Sequence, residues 1–369
     1  MKILYDHQIF SSQNYGGPSR YYVKLAEKIY EFKHKPEIIA GYHLNEHLNN
    51  IKYKKIIKGK KVLLSKFINR SNKLKIYLGN LNQNTFSKVA NSENPDIIHY
   101  TYYNNSDDKI KCKKVITIYD LIHEIFHEEY KKTEFYRPKK EIIQKVDNII
   151  CISNSTKNDL INYYDVDEKK IQVIYLGNDI KKNIKKNPKY SKYFSLPYIL
   201  FVGKRYGYKN FDNLLKTFSE NFNKLKDIFI ICFGGNNFSK QEINKANNLK
   251  LDLNKLIYVE GDDDLLSLFY QNARLFIYPS KYEGFGLPIL ESFSNDCPVI
   301  CSNTSSLPEV GGDAVSYFDP NKTDSIFETI EKTFFNDTFR NELILKGRNQ
   351  SQSFTWEETA LNHLKLYDD

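Results

Sequence analysis

The sequence has no apolar run longer than the six residues Ile228–Phe233. A helix needs roughly 20 such residues to cross a bilayer, so no membrane-spanning segment is expected. The opening stretch, Met1-Lys2-Ile3-Leu4-Tyr5-Asp6, sets an acid where a secretory signal would carry its apolar core. A cytoplasmic protein, at most peripheral on a membrane, is the expectation. Cysteines are few: the five, at positions 112, 151, 232, 297 and 301, contain no C-x-x-C pair and sit largely in apolar runs. That pattern reads as buried free thiols in a reducing compartment rather than as a metal or redox centre. Acidic residues are missing between Glu46 and Glu93, an interval that holds Lys52, Lys54, Lys55, Lys58, Lys60, Lys61, Lys66, Arg70, Lys73, Lys75 and Lys88. Interleaved with Ile56, Ile57, Val62, Leu63, Leu64, Phe67 and Ile68, the cations of 51–75 form a basic amphipathic segment. Two readings are open: a surface that docks on anionic lipid, each cation contributing about 1 kcal/mol, or a solvated helical face.

What is present belongs to an ordinary folded protein, with 41% hydrophobic and 27% charged residues. A chain of 369 residues exceeds one usual core, so two α/β domains are expected. Lys and Arg number 54 against 45 acids, and 54 − 45 gives +9. This excess suits phosphorylated small molecules, acidic lipid headgroups or nucleic acid, without choosing among them.

Short β-branched or aromatic runs recur, each followed by a helical stretch. Ile3–Tyr5, Glu37–Ala40, Ile97–His99, Val115–Ile118, Ile149–Ile152 and Ile171–Ile174 read as strands of a first half. Tyr198–Val202, Ile228–Phe233, Ile257–Val259, Leu275–Tyr278, Val299–Cys301 and Val315–Phe318 read as strands of a second. The alternation predicts parallel sheets covered on both faces. Lys181–Pro188, polar and charged, reads as the linker. Two such domains would place ligands beyond the carboxyl ends of their strands, facing across a cleft.

The most informative segment is Ser280-Lys281-Tyr282-Glu283-Gly284-Phe285-Gly286-Leu287-Pro288-Ile289-Leu290-Glu291. It follows a strand and opens a helix, for proline suits a first helical turn. Gly284 and Gly286 allow close approach of backbone to ligand, and the amides near Gly286 and Leu287 then offer a helix N-terminus to phosphate. Glu283, before the turn, can reach sugar hydroxyls; Glu291, in the first helical turn, can accept bonds from a ribose. A second element, Ile199 to Phe211, reads as a strand, a cationic loop and a helix from about Asp212. Its Arg205 and Lys209 are placed to grip a diphosphate, where negative charge grows as a sugar–diphosphate bond breaks.

Glu283 and Glu291 have the E-x7-E spacing, set in Glu-Gly-Phe-Gly-Leu-Pro, and follow Gly203, Arg205 and Lys209-Asn210 in chain order. Together with Ser305–Ala314, these motifs resemble glycosyltransferase family 4, the retaining nucleotide-sugar glycosyltransferases of GT-B fold. The likeness runs almost end to end and is strongest in the second half. It implies an acceptor-binding Rossmann-like domain over 1–180, a nucleotide-sugar-binding one over 181–352, and a last helix over 353–369 that returns to the first. It also implies that Glu283 holds donor-sugar hydroxyls and Glu291 the ribose, that Arg205 and Lys209 hold the phosphates, and that Phe285, Gly286 and Leu287 line the donor. No metal and no cofactor are implied beyond the nucleoside diphosphate sugar itself as substrate. Asp262-Asp263-Asp264 has D-x-D letters but follows a strand as a helix-capping turn.

In the first half, Tyr15-Gly16-Gly17-Pro18-Ser19-Arg20 follows the first strand. The resemblance places Gly16 and Gly17 beside donor and acceptor; a plain strand–helix turn is the other reading. Many relatives carry His-Asp where this chain has Tyr119-Asp120. Asp120 is then either the group that positions an acceptor hydroxyl or a helix cap, and His123 is either a substitute base or a surface histidine. His99, Thr101, Tyr102 and Tyr103 are expected to shape the acceptor pocket. Ser153-Asn154-Ser155 reads as a helix cap. The expected reaction is front-face transfer of a hexose, with mannose-type donors slightly favoured and guanosine or uridine as base. The acceptor is a glycan or lipid-linked glycan in surface polysaccharide synthesis, and no nucleic acid is expected. A nucleotide-sugar epimerase on the same fold is the alternative.

Overall fold

A computed structural model describes residues 1–62, 72–103, 110–130, 136–179 and 188–369. The chain divides into two compact units: residues 1–177 with 356–369, and residues 178–355.

Unit 1 holds a seven-stranded sheet, β1 (Lys2–Tyr5), β2 (Lys35–His43), β3 (Ile57–Lys61), β4 (Ile97–Tyr100), β5 (Lys113–Ile118), β6 (Asn148–Cys151) and β7 (Ile171–Val173). The spatial order is β3-β2-β1-β4-β5-β6-β7, and all pairs are parallel. Unit 2 holds a six-stranded parallel sheet of β8 (Tyr198–Val202), β9 (Phe229–Phe233), β10 (Leu256–Val259), β11 (Leu275–Tyr278), β12 (Val299–Ser302) and β13 (Val315–Phe318). Its order is β10-β9-β8-β11-β12-β13. Both sheets reverse their winding beside the first strand, at β1/β4 and at β8/β11, the place where open α/β sheets leave a crevice at their carboxyl ends. The helices used below are α1 (Gly17–Glu31), α2 (Asn72–Glu93), α3 (Ile122–Ile125), α4 (Tyr136–Lys145), α5 (Asn154–Tyr163), α6 (Phe211–Glu220), α7 (Lys240–Asn248), α8 (Asp263–Asn272), α9 (Leu287–Ser294) and α10 (Trp356–Asp368).

The central strands are apolar on both faces because helices cover both. Ile199, Phe201, Ile230, Cys232, Leu275, Ile277 and Ile300 form the core of unit 2 with Phe211, Leu214, Leu215 and Phe218 of α6. Each side chain fully buried there contributes roughly 1.5–3 kcal/mol. In unit 1, α10 lies against α1. Its His363 and Tyr367 are buried: Tyr21 Oη sits 2.5 Å from His363 Nε2, and Tyr367 Oη 2.6 Å from His99 Nδ1.

Every expected strand has a counterpart, and β3 is the addition. Its sequence, Ile-Lys-Gly-Lys-Lys, shows little β character, but as an edge strand it needs few apolar residues, and its lysines discourage further pairing. This corrects the helical reading of the basic segment over 51–62, which forms one 3-10 turn and an edge strand. Several of its cations are neutralised from elsewhere: Lys52 pairs with Glu31 at 2.9 Å, Lys58 with Glu37 at 2.6 Å, and Lys61 with Glu46 at 2.8 Å. The part over 63–71 lies outside the described residues, as does the expected linker up to residue 187. Asp262 caps α8, accepting from Leu265 N at 2.9 Å, and Ser153 caps α5, accepting from Thr156 N at 3.0 Å. All five cysteines are free, and four of them are buried. Among the described residues no helix is long and apolar enough to cross a membrane.

Candidate active site

In unit 2 the site begins where β11 ends. The loop after Tyr278 runs to Gly286, whose φ of +116° strongly favours glycine. Pro288 lies in the first turn of α9, so the amides at Gly286 and Leu287 lie at the open end of a helix, which favours negative charge. The loop is pinned from the segment after β12. Ser306 Oγ lies 2.8 Å from the carbonyls of both Glu283 and Phe285, and Ser305 Oγ accepts from Glu283 N at 2.9 Å. Those two serines hold the glutamate loop in place from the segment after β12.

The loop after β8 approaches from the side. Lys281 N donates to Tyr208 O at 2.7 Å, tying the two loops together. Lys209 Nζ then meets Glu283 Oε1 at 2.6 Å and lies 3.5 Å from Tyr278 Oη. The two charged side chains are only 16% and 10% exposed, so each depends on the other for compensation. Burial, with Glu283 nearby, holds the Tyr278 phenol well above its ordinary range. Asn210, with φ of +60°, turns the chain into α6.

The structure thus brings Lys209 together with Glu283 of the loop that leads into α9, and it gives Arg205 a different task. Its guanidinium donates from Nε to Glu242 Oε1 at 2.7 Å, from Nη1 to Gly234 O at 3.2 Å and from Nη2 to Asn236 O at 2.7 Å. It also stacks 4.6 Å from the Phe238 ring centroid, and its side chain is 2% exposed. The phosphate grip expected of Arg205 is therefore corrected: the left-handed turn at Gly234, Gly235 and Asn236 leaves carbonyls that need donors, and Arg205 supplies them. Partners 29 to 37 residues away gave no local signal. We expect Arg205→Leu to lower the melting temperature of unit 2 by several degrees, on the order of 2 kcal/mol. Loss of activity without any change in melting temperature would restore the phosphate role.

Phe285 is buried edge-on against Phe354 at 5.9 Å, so only its backbone is available to a ligand. Glu291 is the fifth residue of α9, just past the first turn where it was expected, and is half-buried; Leu287 is also half-buried.

In unit 1, Gly16 caps α1 and Gly17 opens it, with Pro18 following. A Cβ at Gly16 would meet Gln13 Oε1 at 2.5 Å, the far end of a side chain that can turn away. His99 and Thr101 are wholly buried, correcting their expected place in an open pocket. His99 Nε2 bonds Thr117 Oγ1 at 2.8 Å, and Thr101 N donates to Asp6 Oδ1 at 3.1 Å. Tyr102 and Tyr103 stack at 4.5 Å, Tyr102 half-buried and Tyr103 buried. Tyr119, in the place of the usual histidine, is buried and donates to Thr101 O at 3.3 Å.

Asp120 follows β5 with a half-buried carboxylate whose Oδ1 accepts from Ile122 N at 3.1 Å, a tight turn ahead of α3, whose N-cap residue is Leu121. Burial pushes its carboxyl above the usual range, opposed chiefly by Lys139. His123 is half-buried, 4.7 Å from the Tyr130 ring, and burial lowers its imidazole below the usual range. Sequence reasoning missed two neighbours, Glu124 and Lys139, which form a buried ion pair at 2.7 Å. It also missed Asp6, whose Oδ2 accepts from Gln8 Nε2 at 2.5 Å. Among the described residues no three His, Cys, Asp or Glu side chains converge as a metal site.

This architecture and site define a GT-B glycosyltransferase. Residues 15–182 match the family described as Glycosyltransferase Family 4, and residues 179–350 match that described as Glycosyl transferases group 1. The chain belongs to the GT-B glycosyltransferases and carries a family 4 domain. It is 44% identical over 110 residues to O-antigen chain mannosyltransferase B of Escherichia coli, covering 30% of this chain and 28% of that one. It is 29% identical over 275 residues to the serotype-specific mannosyltransferase WbdA of E. coli, covering 70% and 33%. The matches thus span about a third of the length of these relatives. Among solved structures, the sucrose-phosphate synthase of Thermosynechococcus elongatus superposes with a TM-score of 0.78 at 16% identity, covering 99% and 98%. Anabaena Alr3699/HepE in complex with UDP and glucose gives 0.72 at 16% identity, over the full length of both chains. At such identities the likeness is one of fold.

Proposed function

We propose that the protein is a retaining hexosyltransferase that moves a mannose-type sugar from a nucleoside diphosphate to a glycan or glycolipid acceptor in surface polysaccharide synthesis. The observation that carries this reading is the Lys209–Glu283 pair at 2.6 Å, with Glu283 in the loop that leads into the amide end of α9. A bound diphosphate would exchange with Glu283 for the lysine, releasing the carboxylate to the sugar hydroxyls. The mannose assignment is supported by the names of the two E. coli relatives, and the nucleotide by the UDP in the Anabaena structure.

In this reading the C1–O bond to the diphosphate breaks while Lys209 and the α9 amides take up the charge on the departing oxygen. The acceptor oxygen bonds to C1 from the same face, and its proton passes to a phosphate oxygen. Side-chain cation and amides supply the stabilisation, so neither metal nor cofactor enters the scheme. Asp120 positions the acceptor hydroxyl, with Tyr102 and Tyr103 as a stacking surface and His123 beside them. Contact with an anionic membrane would fall, among the described residues, on Lys73, Leu74, Ile76 and Tyr77 of α2, where the three apolar side chains are 46%, 64% and 65% exposed.

The test is to supply a panel of guanosine- and uridine-linked hexoses with a glycan acceptor and to determine the product linkage by NMR. A new glycosidic bond in the donor's own anomeric configuration is expected. An inverted linkage would overturn front-face transfer, and an epimerised donor with no glycosylated acceptor would replace the transferase by an epimerase.

A further inference from the structure

A lysine that is 2% exposed is rare, and rarer still is one paired with an equally buried glutamate. Lys139 of α4 and Glu124 of α3 meet at 2.7 Å, with side chains 3% and 4% exposed. Tyr164 Oη donates to the same carboxylate oxygen, Glu124 Oε1, at 2.6 Å. The other oxygen, Oε2, is buried with no hydrogen-bond partner among the described residues. As a stabilising device the arrangement is poor. A buried ion pair often contributes no more than well-packed apolar residues of the same volume, and an unmet carboxylate oxygen adds a desolvation cost.

Lys139 makes two more contacts, and they point to a use. Its Nζ donates to the carbonyl oxygen of Asp120 at 3.1 Å and lies 5.0 Å from the Tyr103 ring centroid. The cation therefore sits against the backbone of the residue that the functional reading places at the acceptor, and against the face of the Tyr102–Tyr103 stack. It fixes the turn from β5 into α3, and with it the direction in which the Asp120 carboxylate leaves the sheet. It is also the charge that most favours the ionised form of that carboxylate.

We propose that Lys139 and Glu124 are positioning residues of the acceptor site, a buried charge pair that orients Asp120 and sets the ionic state in which it meets the acceptor hydroxyl. This rests on the reading of Asp120 as the acceptor-facing group. The charged and titratable groups around Asp120 are His123 and Glu124 from α3, Lys139 from α4, and Tyr102 and Tyr103 from the turn after β4. Of these, Lys139 and His123 favour the ionised carboxylate, and Glu124 opposes it. The two members of the pair therefore act on Asp120 with opposite sign.

That opposition supplies the test. The pH profile of kcat/KM for sugar transfer is measured in the full-length enzyme, with acceptor-independent donor hydrolysis measured in parallel. Lys139→Met is expected to move the acid limb to higher pH, Lys139→Arg to restore it, and Glu124→Gln to move it to lower pH. A displacement of one pH unit changes the rate on that limb about tenfold. Donor hydrolysis keeps its profile in all three variants. Where Lys139→Met fails to fold, Lys139→Met combined with Glu124→Leu exchanges the pair for apolar side chains, and Glu124→Gln alone still reports the sign. Limbs that stay in place, or that move in the same direction in both variants, overturn the proposal and leave the pair structural. Failure of the underlying reading looks different: Asp120→Asn would then transfer sugar at the normal rate with the normal profile.

Discussion

Replacing Lys209 by alanine is expected to lower the rate of sugar transfer by on the order of 10²-fold or more. Two effects act in the same direction. On the proposed scheme the cation that offsets charge on the departing diphosphate is lost, and the carboxylate it compensated is left alone: Glu283 lies 2.6 Å from Lys209 and its side chain is 10% exposed. An uncompensated carboxylate beside the phosphate position repels the donor, so binding should weaken together with the chemical step. The comparison with Lys209→Ala combined with Glu283→Gln separates these contributions. The double variant removes the repulsion but not the need for the cation, so donor KM should recover while kcat stays low. The check is initial rates of transfer and of donor hydrolysis, with thermal unfolding as a control for folding. Near-normal rates in Lys209→Ala would remove Lys209 from the site and leave the pair a structural tie between two loops.

Whatever was local in sequence was legible there. Ile199 to Val202 and Leu275 to Tyr278 are continuous apolar runs because helices cover both faces of the sheet. Gly286 and Pro288 mark the start of α9 through backbone geometry alone. The cap at Asp262 was readable for the same reason. What failed to show was any property set by distant partners. Strand β3 is an edge strand held by β2, and its five residues carry three lysines because one side meets solvent. Arg205 had the residue type and the loop position of a phosphate ligand, yet Glu242 and the carbonyls of Gly234 and Asn236 claim its donors. His99 stands at the end of a strand like a pocket residue, and only the return of α10, 268 residues later, encloses it. Lys139 and Glu124 lie in an ordinary charged stretch, and no sequence pattern separates a buried lysine from a solvated one.

The return of α10 makes unit 1 sensitive to acid, and the sign follows from burial. His363 is wholly buried, and burial lowers its imidazole from 6.5 to about 4. Its Nδ1 lies 2.7 Å from the Thr359 carbonyl, so Nδ1 carries the proton and Nε2 accepts from Tyr21 Oη. A second proton would turn that acceptor into a donor inside a dry contact between α10 and α1. The unfolded chain binds this proton near pH 6.5 and the folded one only near pH 4. The stabilisation is therefore complete above about 6.5 and is lost as pH falls toward about 4, amounting to ~3 kcal/mol for this group. His43, lowered by burial to about 4, and His99, lowered well below its ordinary value, act in the same direction. Asp6 and Asp120 act the other way, because burial raises their carboxyls and the folded state takes up their protons first. The surface pairs of Glu31 and Glu93, held down to about 2, lose their contribution below roughly pH 4.5. Between pH 6.5 and 4.5 the histidines lower stability as pH falls, against the buried carboxyls of Asp6 and Asp120. Denaturant unfolding of the full chain at pH 7.5, 6 and 5 should show a falling midpoint, with Trp356 of α10, the sole tryptophan, as the fluorescent reporter. His363→Gln, which keeps a polar group of similar reach but does not titrate, should flatten the fall. A midpoint for the Trp356 signal that is the same at pH 7.5 and 5 would mean that His363 is solvated or already protonated, and that α10 is held by its apolar face alone.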